Sequence, residues 1–281
     1  MRPECSRRSG PTDSVVPRND PEHDKYDEGM LASVIAELRA AGCVFAEDEA
    51  ALLIEAASSP ADLRQLVDRR VSGIPLEHLL GWVEFSGLRI SVDAGVFVPR
   101  QRTAFLVQWA VAMAARDAVV LDLCCGAGAL GAAIASRLPG IDLYAADIDP
   151  AAVASARRNL CPSRVFEGDL FEPLPPSLRG RVDILVANTP YVPTDAVALM
   201  PPEARLYEAR LALDGGSDGL DVQRRVAEAA PHWLARGGHL FMESSEEQAA
   251  LTAQVIETNG LIPKIAHSEE FCSTVVIGTL P

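Results

Sequence analysis

The sequence predicts an α/β fold: a mainly parallel sheet of seven strands with helices on both faces, preceded by a small all-helical unit. Three observations carry this reading. Strand-like and helix-like segments alternate from about residue 103. A buried strand runs into a glycine-rich turn and a helix across Val119–Gly131. Residues 30 to 73 hold only helical periodicity.

Taken in order, residues 1–25 carry four prolines and many charges without periodic apolar positions, so they are expected to form a disordered extension. Leu31, Val34, Ile35 and Leu38 then fall at i, i+3, i+4 and i+7, one apolar face of a helix that Gly42 ends. A second helix is expected from Glu47 to Ala57. A third opens with Ser59 as N-cap and Pro60 at its first position, and Gly73 closes it. His78–Phe85 and Leu88–Val92 flank Ser86-Gly87 and read as a β-hairpin. Beyond it, helices are expected at 103–115, 129–138, 150–160, 218–235 and 246–259. Strands are expected at 119–124, 142–147, 164–168, 182–188, 238–243, 264–267 and 273–279. The last two strands lack an intervening helix, so they should pair antiparallel. The resulting division is extension 1–25, helical domain 26–77, hairpin linker 78–99 and main domain 100–281.

Composition narrows the function. A chain of 281 residues, 48% apolar and 23% charged, suits about two globular domains. With 25 Lys and Arg against 39 Asp and Glu, the net charge of −14 disfavours a nucleic-acid partner, which needs a basic footprint. Leu123–Ser136, the longest uncharged stretch, is too short and glycine-rich to span a bilayer. No apolar leader opens the chain, and Cys5, Cys43, Cys124, Cys125, Cys161 and Cys272 show no CxxC spacing. A reduced, cytoplasmic setting without a metal site is therefore expected.

The glycine-rich turn is the first candidate site. Gly126, Gly128 and Gly131 satisfy GxGxxG, and Asp147 ends the next strand about twenty residues on. Ligands of open α/β sheets bind beyond the carboxyl ends of the strands, where glycine lets a ligand approach the backbone. Asp147 can accept from both hydroxyls of a ribose. This pattern does not separate a dinucleotide from S-adenosylmethionine. Asp122, at the strand's end, favours the latter: a carboxylate suits an ammonium and a sulfonium and repels a pyrophosphate. The alternative is that these small residues only let helix and strand pack. Cys124-Cys125 reads as small packing residues.

The second candidate is Asn188-Thr189-Pro190-Tyr191, which leaves the strand 182–188 at the same sheet edge. A carboxamide oxygen and the next backbone carbonyl can accept both hydrogens of a planar NH2 group. That favours the pyramidal geometry in which its lone pair attacks a methyl group, with Tyr191 packed over the substrate π-system. Asn and Pro are also ordinary turn residues.

With these motifs in view, the sequence resembles the HemK/PrmC family of protein-(glutamine-N5) methyltransferases over about residues 70 to 281. The likeness is carried by Gly73–Leu76, Gly81–Phe85, Val98–Arg100, Asp122–Gly128, Asp147, Asn188–Tyr191, Leu213–Asp221 and Gly237–Glu243. It implies a helical substrate-recognition domain, a hairpin linker and a Rossmann-like class I methyltransferase domain. Its implied substrate is the glutamine of the Gly-Gly-Gln loop of peptide-chain release factors. By the same likeness, Gly126, Gly128, Asp147 and the backbone at Cys124, Cys125 and Ala127 would bind S-adenosylmethionine. Leu170, just after Asp169, would flank the adenine, so both count as cofactor positions. Asn188 would contact cofactor and substrate amide.

Three departures stand out. The family's Asn-Pro-Pro-Tyr is Asn188-Thr189-Pro190-Tyr191, which keeps the accepting carbonyl and loses a fixed φ. Its Pro-Arg-Pro-Glu-Thr-Glu is Pro99-Arg100-Gln101-Arg102-Thr103-Ala104, with Arg and Ala in place of two acids. Its Glu-x-Gly is Glu243-Ser244-Ser245. The alternatives are an adenine-N6 nucleic-acid methyltransferase, a cofactor-binding protein without catalysis, and a NAD-linked oxidoreductase. Gly215–Gly219 spells GxSxG but lacks the preceding strand of a nucleophile elbow, and the five histidines have no metal-ligand spacing.

Overall fold

A computed structural model describes residues 28–281, which form two compact units, one ending at Leu80 and the other beginning at Gly81. The extension expected over 1–25 lies outside the described residues.

The first unit is helical: α1 (Glu28–Ala40), α2 (Ala46–Ala56), α3 (Pro60–Val71) and α4 (Leu76–Leu80). Leu38, Leu53, Leu63 and Val67 meet in its core, as the apolar spacing requires. Ser59 caps α3, its hydroxyl accepting the Asp62 N–H at 3.2 Å. One ion pair lies inside. Arg70 reaches both oxygens of Glu49 (2.6 and 3.2 Å) and the Ile74 carbonyl (3.2 Å). His78–Leu80, expected to begin the hairpin, instead complete α4 behind Pro75, whose carbonyl accepts the His78 and Leu79 N–H groups. A run of only three residues could not show that a helical turn follows Pro75.

The second unit begins with the hairpin, β1 (Trp82–Phe85) and β2 (Leu88–Ser91), pairing Phe85 with Leu88 across Ser86-Gly87. Both turn residues have positive φ (54° and 80°), the two-residue geometry that matches strand twist. After a 3-10 turn at Gln101–Thr103 comes α5 (Ala104–Met113), and then the alternating body. Its elements are β3 (Val119–Leu123), α6 (Ala129–Arg137), β4 (Asp142–Asp147), α7 (Pro150–Asn159), β5 (Val165–Glu167), β6 (Val182–Ala187), α8 (Pro202–Tyr207), α9 (Asp221–Ala229), β7 (Leu234–Ser244), α10 (Ala249–Thr258), β8 (Ile262–Ser268) and β9 (Ser273–Thr279).

The sheet runs β5-β4-β3-β6-β7-β9-β8, with β9 antiparallel to both neighbours and the rest parallel. Side-chain alternation splits the core. Val120, Ile184, Val186 and Phe241 face α5 and α6, while Leu121, Leu123, Leu185 and Leu240 face α9 and α10. Two expectations shift in detail. The helix expected over 218–235 is shorter, because Pro231 breaks it into a 3-10 turn. The strand then starts four residues early, at Leu234, where Val182 pairs with it ahead of a bulge. The residues between β6 and α9 also hold α8 and further 3-10 turns that apolar periodicity does not announce.

The buried Arg70–Glu49 pair can be tested: Arg70→Met strands a carboxylate and should cost the helical unit about 3 kcal/mol, read by urea unfolding of the intact chain. An unchanged unfolding curve would show the pair to be solvated.

Candidate active site

At the carboxyl ends of β3, β4 and β6 the chain encloses a cavity of about 280 Å³. The turn after β3 builds one wall. Cys124 and Gly126 take positive φ (54° and 53°), and Cys125 N–H reaches back to the Ala146 carbonyl at 3.1 Å. The Asp147 carboxylate fixes the turn: one oxygen accepts the Gly126 N–H at 2.8 Å, the other the Asp149 N–H at 2.9 Å. Each oxygen keeps a lone pair. Burial raises the Asp147 carboxyl above its usual range, and raises the Cys124 and Cys125 thiols far enough that neither is a thiolate near neutral pH.

The three glycines do three different things. A Cβ on Gly126 would meet nothing within 4 Å, so that backbone is open to a ligand. Gly128 and Gly131 do not line the cavity. Gly128 (φ 78°) turns the chain into α6, where a Cβ would come within 2.8 Å of Leu160. At Gly131 a Cβ would press on Asp122 and Leu143. Packing, the alternative reading of this motif, thus explains two of the three positions.

Asp122 also departs from expectation. Its carboxylate is fully buried and turns into α6, where one oxygen accepts the Gly131 N–H at 2.8 Å and the other has no partner among the described residues. It is absent from the cavity wall, because the strand's alternation directs it at the helix. Burial pushes its carboxyl up to about 8.

The other expected positions do line the cavity. Cys124, Cys125, Gly126 and Ala127 stand on the turn, Asp147 at the end of β4, and Asp169 and Leu170 after β5. Arg225 on α9 pairs with Asp169 at 2.6 Å. Asn188, Thr189, Pro190 and Tyr191 complete the wall where β6 ends. Among the described residues the Asn188 carboxamide makes no hydrogen bond. Thr103 and Thr189 line the same space, and their buried hydroxyls also lack partners among the described residues.

The Gly215–Gly219 stretch supports this wall. Gly215 N–H donates to the Val192 carbonyl (2.8 Å), and a Cβ on Gly215 would sit 2.6 Å from the Pro190 carbonyl oxygen. On Gly219 a Cβ would meet the Tyr191 carbonyl oxygen at 2.2 Å. Its GxSxG spelling reflects backbone laid against backbone. Gln248 adds a tie, its Nε2 donating to the Tyr191 carbonyl at 3.0 Å and the Asp218 carbonyl at 2.9 Å, and Ser245 holds Gln248 by its Oε1. Glu246 and Glu247, expected in a first helical turn, precede α10 instead, since this Ser245–Gln248 turn delays the helix to Ala249.

Arg102 stands beside Tyr191, a placement that the sequence motifs do not announce. Its guanidinium donates to the Tyr191 phenol at 2.8 Å and to Glu243 at 3.1 Å, and Tyr191 O–H donates to the same Glu243 oxygen at 3.1 Å. Burial, with Glu243 adding to it, pushes the Tyr191 phenol up to about 12. The available signal was the replacement of an acid by Arg102, read only as a change of charge. Arg100, nearby, pairs with the buried Glu208 at 2.6 Å.

A parallel sheet closed by an antiparallel strand inserted next to its edge, with an open glycine turn and a carboxylate on adjacent strand ends, defines a class I S-adenosylmethionine-dependent methyltransferase. The family described as "Methyltransferase small domain" matches residues 87–218. A release factor glutamine methyltransferase of Geobacter sulfurreducens is 40% identical over 204 residues, 71% of each chain. One from Mycolicibacterium smegmatis is 39% identical over 71% of this chain and 72% of its own. The crystal structure of a methyltransferase from Pyrococcus furiosus matches with a TM-score of 0.51 at 17% identity, covering 69% of this chain and 89% of that one, a likeness of fold. The chain belongs to the release factor glutamine methyltransferase family. No helix among the described residues is long and apolar enough to cross a membrane.

Asp122 yields a test. Its folded pKa lies above the roughly 3.9 of an exposed Asp, so the folded state holds the proton longer, and stability falls as pH rises from about 4 to about 8. The contribution approaches about 1.4 kcal/mol per pH unit inside that window. Asp122→Asn should flatten this slope, followed by thermal unfolding at pH 5 and 8. An unaltered pH dependence would place the titrating group elsewhere.

Proposed function

We propose that the protein transfers a methyl group from S-adenosylmethionine to the side-chain amide nitrogen of a glutamine in a peptide-chain release factor. The observation that carries this reading is the Asn188 carboxamide, unpartnered among the described residues and lining the same cavity as the open Gly126 backbone. The residues present fit the cofactor: the Gly126 face accommodates a close approach, and Asp147 keeps one lone pair per oxygen for the two hydroxyls of a ribose. Asp169 and Leu170 would flank its adenine, and the backbone from Cys124 to Ala127 would run along it. When bound, the cofactor supplies an electrophilic methyl on a sulfonium.

The chain's own task is orientation. The Asn188 side-chain oxygen and the Thr189 carbonyl accept the two amide hydrogens, which turns the nitrogen lone pair out of conjugation. Pro190 fixes the backbone that aims that carbonyl, and the Tyr191 ring covers the amide plane. A strong base is unnecessary, since the nitrogen sheds its proton only after it gains the methyl group. The helical unit would grip the body of the acceptor protein. This work belongs in the cytoplasm beside translation, where nucleic acid is met only through the translation machinery.

Transfer of labelled methyl to a purified release factor, located by mass spectrometry, tests the reading. Label on the glutamine of the Gly-Gly-Gln loop is expected. A chain that binds S-adenosylhomocysteine yet labels nothing would overturn the acceptor assignment. Asn188→Ala should abolish transfer with the melting temperature kept, and an active variant would refute the amide clamp. Asp147→Ala should weaken S-adenosylhomocysteine binding by about ten- to a hundredfold by calorimetry, the worth of a charged hydrogen bond of about 1.5–3 kcal/mol. Unchanged affinity would put the ribose elsewhere.

A further inference from the structure

Tyr191 is held at both ends. Its backbone carbonyl is fixed by Gln248, and its phenol lies in a closed triangle with Arg102 and Glu243. Glu243, near the end of β7, has a side chain only 2% exposed, and its second oxygen finds no partner among the described residues. A carboxylate so placed needs a counter-ion, and the Arg102 guanidinium meets it from the 3-10 turn ahead of α5. One arm of the guanidinium takes Glu243, and a second takes the phenol oxygen. The phenol proton returns to Glu243. Rotating the ring away would break one hydrogen bond that it accepts from a cation and one that it donates to an anion.

We propose that Arg102 and Glu243 form a charged clamp that positions the Tyr191 ring as a rigid wall of the acceptor-amide subsite. Arg102 is a positioning residue: it acts through Tyr191 and touches neither reacting atom. This rests on the transferase reading above and adds to it the residue that sets the geometry. The clamp is specific to a chain with arginine at this position. An acid there, as in the pattern this sequence resembles, would face the buried Glu243 with like charge and could not donate to the phenol. The arginine therefore substitutes one way of holding the aromatic wall for another, so the departure at residue 102 is compatible with turnover.

Two conservative variants and their combination test this in the full-length chain. Tyr191→Phe keeps the ring and removes the hydroxyl. Arg102→Lys keeps a counter-charge for Glu243 and removes the fork. Each should lower kcat for methyl transfer to a purified release factor by about tenfold, with S-adenosylhomocysteine affinity and melting temperature near those of the unaltered chain. The double variant should lose no more than either single variant, because both changes release the same ring. Losses that multiply in the double variant, or full kcat in Tyr191→Phe, would overturn the clamp while leaving the transferase reading intact. An unaltered chain that labels no release factor would instead overturn that reading, and the clamp's purpose with it.

Discussion

The hydrogen bond from Gly126 N–H to the Asp147 carboxylate is the contact on which the active end of this molecule depends. It joins the turn after β3 to the end of β4 and holds the one glycine of the motif whose face is open to a ligand. The same carboxylate stops the chain from drifting at the start of α7, through the Asp149 N–H. Asp147 thus works on the protein with half its lone pairs and leaves the other half toward the cavity. Its burial, which raises its pKa, is the consequence of ending an inner strand at that point.

The wall contributed by β6 is held differently. Asn188 to Tyr191 cannot be pinned by a sheet ladder, because the strand has ended at Ala187. Backbone laid against backbone replaces the ladder: the Leu213–Gly219 stretch runs beside Pro190–Val192, and at Gly215 and Gly219 a Cβ would collide with carbonyl oxygens. Gln248 closes the arrangement from the far side. The three departures from the family pattern converge here. Thr189 carries a buried hydroxyl without a partner among the described residues, Ser245 orients Gln248, and Arg102 reaches the phenol of Tyr191. Changes far apart in sequence thus fall on or beside one tetrapeptide.

Most of the body was legible in the sequence because its inner strands are buried on both faces and its helices carry one apolar stripe, so apolar runs and periodicity mark them. Capping chemistry placed the start of α3, and the Ser86-Gly87 turn placed the hairpin register. What stayed illegible had no period. His78–Leu80 continue a helix across three residues, and α8 with its neighbouring 3-10 turns packs by contacts to distant segments.

By itself, the sequence determined the α/β class and placed Asp147 and Asn188 at the carboxyl edge of the sheet, because strand-ending acids and turn residues are local features with fixed consequences. Only the tertiary structure decided that Asp122 turns into α6, that Gly128 serves packing, and that Arg102 meets Glu243 across 141 positions. Side-chain direction at the end of a strand depends on which face the neighbouring helix covers. An ion pair between elements distant in the chain depends on sheet order. Neither quantity is written in any local stretch of residues.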